Sequence, residues 1–443
     1  MTEGTVARIF SERATLDTYL RVEAALAQAE ADLEILPQAA AREIAQKATM
    51  DLLDLTALRE QSERVGYPIA PLVRQLTTLC GEHGRYVHWG ATTQDIVNSA
   101  FASQVNESLS VFASDLASAL EHLAALAREY RKTVMAARTF GGHALPITFG
   151  FKVAVWLSGL LRHAERLETL LRRPMDGEFS GVAGTLASLG TKGQQVRRRL
   201  MQLLGLSEPI VTWAPMRDAV FERVAFLAGL TATLAKIAGD VSELSSTEIG
   251  ELEEPLSGGR DTSSALPFKS NPIYCAQVMT SASLVAQHLA CVLEATRQHQ
   301  ERSGEGLLEF VAAPQAFVQA ERCLTCFRLL IDGLRVYPER MFANLGMTRG
   351  VLLAERYMMA LAPHLGRLPA HDLVHEACRR AVVQHDDLRT VLANMPETRK
   401  HLNPDQLAAL SDPKTYLGTA LETVDEVLAA TRRFLDARGN EIR

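Results

Sequence analysis

From Arg217 to Ile249 the chain carries no proline, and Gly229 and Gly239 are the only residues there that weaken a helix. At 1.5 Å per residue this stretch makes a rod of roughly 50 Å. A rod of that length cannot bury its apolar stripe alone, so it requires long helices beside it, in a bundle or a coiled coil. Helical periodicity recurs near 107–132, 146–173, 275–302 and 314–337. None of these keeps a strict heptad and their stripes are broad, which favours a globular bundle that also buries partner subunits over a fibre. No convincing strand series interrupts them. The expected fold is all-α, with a central long-helix bundle over 106–345.

The flanks read differently. Residues 1–105 form an N-terminal helical domain of shorter helices and turns. One of these starts with Ser11 as N-cap; another, near Ala57 to Val65, stops at Gly66. The turn HWGATTQD at 88–95 is rich in hydrogen-bonding side chains and runs into a helical pattern that Thr92 or Thr93 can cap, and a helix start of this kind is an anion site. Residues 346–443, broken at Pro363, Gly366, Pro396, Pro404 and Pro413, read as a small C-terminal helical domain.

Of the 443 residues 47% are apolar, enough for a large core, and the net charge of −6 gives no reason to expect nucleic acid. The six cysteines have no framework spacing, and the chain begins without a basic-then-apolar leader, so a reduced, cytoplasmic protein is expected. Cys323 and Cys326 lie at helical spacing on a core face, and His371 and His375 lack the glutamate of a zinc motif; no metal or cofactor is implied. The run from Phe149 to Leu161 is too short to span a bilayer, and no membrane partner is expected.

Chemistry concentrates in the loop 257–274, GGRDTSSALPFKSNPIYC from Gly258, set between two long helices. Pro267 and Pro272 shape its backbone, and two serines, a lysine and an asparagine share it. TSSALPFKSNP resembles the mobile-loop motif of the fumarase/aspartase superfamily, whose members include fumarase, aspartase, argininosuccinate lyase, adenylosuccinate lyase and bacterial 3-carboxy-cis,cis-muconate cycloisomerase. Ser263, Ser264, Pro267, Lys269, Asn271 and Pro272 match. Thr262 and Leu266 depart from the usual glycine and methionine, and Phe268 and Ser270 replace the histidine and arginine common in the adenylosuccinate lyase and muconate branches. HWGATTQD, FSGVAGTLASLG at 179–190 and TEIGELEEP at 247–255 extend the likeness, as do ALAPHLGRLPAHDLVHEACRRA and YLGTA near the C-terminus. The muconate branch is the nearest.

The resemblance implies a three-domain protomer, a homotetramer whose active sites are each built from three subunits, and a small carboxylate substrate. It also implies proton abstraction next to a carboxylate, with expulsion of a group from the neighbouring carbon or the reverse. On the matching positions Ser263 is the base, Lys269 and Asn271 clamp the substrate carboxylate, and Ser264, Thr92, Thr93 and Gln94 add contacts. An unperturbed hydroxyl loses its proton near ~15.7. One cation at about 4 Å lowers this by only roughly three units, so Lys269 alone cannot suffice and loop N–H donors with exclusion of water are needed.

The general acid is less legible. Many members carry a Thr-His pair, but Arg138-Thr139-Phe140-Gly141-Gly142-His143 places phenylalanine there. Thr139 remains a pocket candidate, and His143 is either an acid or a histidine bonded to backbone. His88 is a second pocket histidine, Arg217 a candidate for a second substrate carboxylate, and Glu248 and Arg13 are supporting candidates. Three readings stay open. The first is a 3-carboxy-cis,cis-muconate cycloisomerase-like enzyme, the second a C–N lyase releasing fumarate from an N-succinyl compound, and the third an inactive structural protein of the same fold.

Overall fold

A computed structural model of the chain describes residues 4–255 and 270–441. Five long helices dominate it: α1 (Thr93–Glu129), α2 (Phe149–Arg172), α3 (Asp218–Leu244), α4 (Ile273–Ala295) and α5 (Leu307–Asp332). The all-α expectation holds, with the described residues adding only two short antiparallel ribbons, β1 (Val134–Thr139) with β2 (Gly142–Thr148) and β3 (Leu252–Glu253) with β4 (Arg335–Val336).

The helix ends explain themselves locally. Ser11 caps the helix Glu12–Asp32, its hydroxyl accepting from the N–H of Ala14 at 3.3 Å. Gly66, at φ 92°, ends Leu55–Val65 in the left-handed conformation that glycine adopts without penalty. No glycine or proline lies between Thr93 and Glu129, so α1 runs unbroken for 37 residues and position 105 falls inside it. At the other side, α5 starts at Leu307 and carries Pro314 within it, where the sequence pattern placed the helix start.

The hairpin β1–β2 is a correction to the strand-free reading and to the expected helix start at 146. Its two-residue tip, Phe140 at φ 50° and Gly141 at φ 79°, has both central residues left-handed, the geometry that matches the twist of paired strands. Pro146 has no N–H to give, and the register slips beside its partner Ala136, between Ala136 and Arg138.

The chain divides into two compact units, and all their boundaries fall inside the five long helices. The first comprises Met1–Asp115, His163–Leu234 and Thr280–Thr325. Its core includes Leu20, Ile44, Leu72, Leu76 and Ile96, with a satellite cluster around Phe179, Val196 and Leu200. The second comprises Leu116–Arg162, Ala235–Met279 and Cys326–Arg443, and packs Ala136 of the hairpin with Tyr357, Leu361, Val374 and Leu388. Cys323 and Cys326 are fully buried, as a core face of α5 requires.

Candidate active site

In the first unit the candidate residues gather where the turn after Tyr86 enters α1. His88, at φ 60°, and Gly90, at φ 71°, reverse the chain twice. Thr92 then stands at the N-cap, and its backbone N–H donates to Asp95 at 2.9 Å, half of a capping box. Asp95 also accepts from the N–H groups of Ser180 (2.8 Å) and Gly181 (3.1 Å), so one buried carboxylate ties the segment after Phe179 to the helix start. Burial, opposed by these three donors, pushes its titration up to about 6. Asp95 was not singled out in the sequence, although the Thr-x-x-Asp spacing is a recognised cap signature. Thr92, Thr93 and Gln94 are half-buried around this start.

His88 leans the other way, its Nδ1 lying 2.6 Å from Oε1 of Glu23 on the helix Glu12–Asp32. Burial disfavours the imidazolium, but the hydrogen bond to Glu23 and the charges of Glu23 and Asp95 outweigh it, so His88 titrates above the ordinary histidine range. Glu23 and Glu30 are both buried on the same helix. No sequence signal marked them beyond their place on an otherwise apolar face.

Arg217 is buried rather than open to a ligand. Its guanidinium forks onto the carboxylate of Glu309, with Nε 3.0 Å from Oε2, lies with Cζ 4.6 Å from the Trp213 ring centroid, and donates to Oδ1 of Asn98 at 3.3 Å. In this arrangement Glu309 occupies the bidentate edge of Arg217, the edge expected to meet a substrate carboxylate. What Arg217 does instead is set an orientation. Arginine only donates, so the Asn98 atom it meets is the oxygen, and the Gln94 atom 2.8 Å from that oxygen is its NH₂. Gln94 is thereby held with its carbonyl turned away from Asn98.

In the second unit the hairpin carries Thr139 and His143. Thr139 is exposed next to the tip, paired with Gly142, and Phe140 is fully exposed. His143 faces Arg138 across the ribbon. Arg138 makes a bidentate pair with Glu251 at 2.9 and 2.6 Å, and Asn344 donates to the same carboxylate at 2.7 Å. Burial and the Arg138 charge lower the titration of His143, against a smaller pull from Glu251. Its Nδ1 is buried with no hydrogen-bond partner among the described residues, so the backbone-bonded alternative is not what the structure shows for that atom.

The two supporting candidates both lie at the surface of this chain. Glu248 is exposed and offers only its backbone carbonyl, to Arg340 at 2.8 Å, while Glu251 is the buried member of that segment. Arg13 forms an exposed pair with Asp51 at 2.9 Å. Asn271 is half-buried beside a cavity of about 400 Å³ lined by Ser242, Ser245, Ser246 and Glu254. Ser263, Ser264 and Lys269 lie outside the described residues. Among the described residues no cluster of histidine, cysteine and carboxylate groups has the makings of a metal site, and His371 and His375 stack on an exposed helix face.

Residues 2–287 match the family described as Lyase, and residues 350–427 match Adenylosuccinate lyase C-terminus. A solved fumarate lyase from Mesorhizobium sp. BNC1 is 44% identical and superposes with a TM-score of 0.90 over 96% of this chain and 97% of the other. The 3-carboxy-cis,cis-muconate cycloisomerase of Bradyrhizobium diazoefficiens is 38% identical over 95% of both chains. Trans-aconitate decarboxylase 1 of Mycosarcoma maydis is 38% identical over 95% of this chain and 86% of its own length. With the helical fold, the loop motif and these matches along nearly its whole length, the chain belongs to the fumarase/aspartase superfamily of lyases and cycloisomerases.

Proposed function

We propose that the protein abstracts a proton next to a substrate carboxylate and expels, or in reverse adds, a carboxylate on the neighbouring carbon, as a 3-carboxy-cis,cis-muconate cycloisomerase does. The observation that carries this reading is the place of His143, across the ribbon from the Arg138 cation. A carboxylate leaves as a stable anion, whereas an amine must be protonated as it departs. With Phe140 in the place of the usual acid, His143 is the histidine nearest that position. Burial and the Arg138 charge lower its titration, against a smaller pull from Glu251. Even an unshifted imidazole at ~6.5 is less than about a tenth protonated at pH 7.5, and a lowered one carries the proton less often still.

Ser263 is proposed as the base, with Lys269 and Asn271 on the carboxylate where charge builds up. Ser264, Thr92, Thr93, Gln94 and Thr139 complete the pocket, and His88 serves as a cationic donor. A C–N lyase acting on an N-succinyl compound is the second reading, favoured by the match of residues 350–427 to the adenylosuccinate lyase C-terminus. The deciding experiment follows loss of carboxymuconate absorbance in parallel with fumarate release from a panel of N-succinyl compounds. Fumarate release without carboxymuconate turnover reverses the order of the two.

A homotetramer with shared sites is part of the same proposal. α1, α3 and α4 are long and apolar enough to cross a bilayer by length and composition, and only 44%, 44% and 28% of their most apolar windows is buried within the chain. Burial against partner subunits removes that surface from water. Mixing inactive Ser263→Ala protein with protein inactivated at Thr92, Thr93 and Gln94 restores partial activity if the sites are shared. A fully active monomer on a sizing column with light scattering overturns it.

A further inference from the structure

The buried face of the helix Glu12–Asp32 carries two glutamates whose environments differ. Glu23 is 1% exposed and meets Nδ1 of His88, while its Oε2 has no partner among the described residues. Glu30 is wholly buried, and neither of its oxygens has a hydrogen-bond partner among the described residues. An isolated carboxylate in such a place takes up a proton rather than stay charged. Burial, and then the charge of Glu23, push Glu30 up to about 9, so it is neutral under ordinary conditions. Of the two, Glu23 is the one that the imidazole of His88 meets.

His88 is held there by its backbone as well. A left-handed φ of 60° is uncommon for a residue with a side chain, though histidine tolerates it better than most, and the bond to Glu23 offsets that cost. The charged groups that act on the ring are Glu23 from the N-terminal helix and Asp95 from the start of α1. Because Nδ1 is committed to Glu23, Nε2 is the ring atom left for a ligand, and it carries a proton whenever the ring is charged.

We propose that Glu23 is a positioning residue for His88, fixing the ring by its Nδ1–H so that Nε2–H is offered as a cationic donor to an anionic group of the substrate. This rests on the reading of His88 as a substrate-facing residue given above. Glu30 stands outside the machinery and serves as the isosteric control.

The experiment follows the His88 resonance by NMR in protein carrying ε1-¹³C-histidine, assigned with His88→Gln, in the wild type, Glu23→Gln, Glu23→Asp and Glu30→Gln. KM and kcat for carboxymuconate are measured from pH 5.5 to 8.5 in parallel. Glu23→Gln lowers the His88 titration by one unit or more, which is about 1.4 kcal/mol. It raises KM about tenfold at pH 7.5 with a smaller change in kcat, and KM recovers as the pH is lowered and the ring recharges. Glu23→Asp restores most of the shift, and Glu30→Gln leaves titration and KM as in the wild type. A purely structural Glu23 would give no recovery at low pH. An unshifted His88 titration in Glu23→Gln overturns the proposal. A shifted titration with His88→Gln fully active overturns instead the placement of His88 at the substrate, so the two failures are told apart.

Discussion

The carboxylate of Glu254 accepts the backbone N–H of Cys275 at 2.6 Å, and that of Tyr274 at 2.9 Å. Both donors belong to the first turn of α4, whose N–H groups have no partner within the helix. Glu254 thus caps the helix that begins at Ile273, the helix that follows the loop motif supplying the proposed base. Glu254→Ala removes a buried cap, worth about 1 kcal/mol and up to about 2 in a buried setting. The expected result is a lower Tm together with a loss of kcat larger than the stability loss explains. Glu254→Gln, which keeps an acceptor and removes the charge, is intermediate. Wild-type kcat in a destabilised Glu254→Ala protein would separate the cap from the chemistry.

The Arg217–Glu309 pair makes a second test. Both side chains are buried, with 2% and 0% exposure, so deleting either leaves a charge without compensation, at a cost of roughly 3–5 kcal/mol. Glu309→Leu and Arg217→Met are each expected to unfold at much lower urea, while the double variant regains most of the stability. Its activity stays low, because Asn98 and Gln94 lose the donor that orients them. Additive single and double effects on the urea midpoint would show that the two side chains do not act as a pair.

Much of the fold was legible because it is written in local signals. The Ser11 cap, the Gly66 stop and the helical spacing of Cys323 and Cys326 each depend on residues a few positions apart, and the structure keeps all three. The hairpin was not, since a slipped register and Pro146 blur the alternation by which strands are read. The site was legible as motifs and not as partnerships. Arg217 and Glu309 are 92 positions apart, His88 and Glu23 are 65, and Arg138 and Glu251 are 113. Nothing local tells a glutamate destined for burial from one facing water, which is why Glu248 was named where Glu251 is the buried one.

Glu30 makes stability depend on pH in a direction that can be worked out. Its folded value, about 9, lies above its ordinary 4.5, so its contribution is complete below the ordinary value and is lost as pH rises toward and through 9. His88, also raised, adds a loss in the same direction above the ordinary histidine range. His143, lowered, has the opposite sign and costs stability as pH falls below that range. Glu30→Gln is neutral at every pH. The urea midpoint of this variant is expected to fall less than that of the wild type between pH 5 and pH 9, and parallel curves would mean that Glu30 ionises freely in the fold.

Ser263→Ala tests the base directly. A group needed for proton abstraction acts in the transition state, so the variant is expected to bind substrate nearly as before while kcat drops by several orders of magnitude. Ser264→Ala is expected to do much less. Retention of more than about a tenth of kcat, roughly 1.4 kcal/mol of barrier, would take the base away from Ser263.

The sharpest separation of the two reactions comes from His143. It sits across from Arg138 on the hairpin, where burial and that cation lower its titration, and its Nδ1 has no partner among the described residues. A cycloisomerase expelling a carboxylate has no use for an acid there, so His143→Gln, a polar replacement of similar reach, is expected to keep kcat for carboxymuconate within about tenfold, or ~1.4 kcal/mol. A C–N lyase would need the ring protonated at the moment the amine leaves. In that case the same substitution abolishes amine elimination and flattens one limb of the pH–rate profile, and the limb lost lies below the ordinary histidine range because the ring is shifted down. Amine elimination that survives both His143→Gln and His88→Gln would move the acid to Lys269, a tyrosine or bound water. Loss of carboxymuconate turnover in His143→Gln by a hundredfold or more would show that the neutral ring takes part in cycloisomerisation after all.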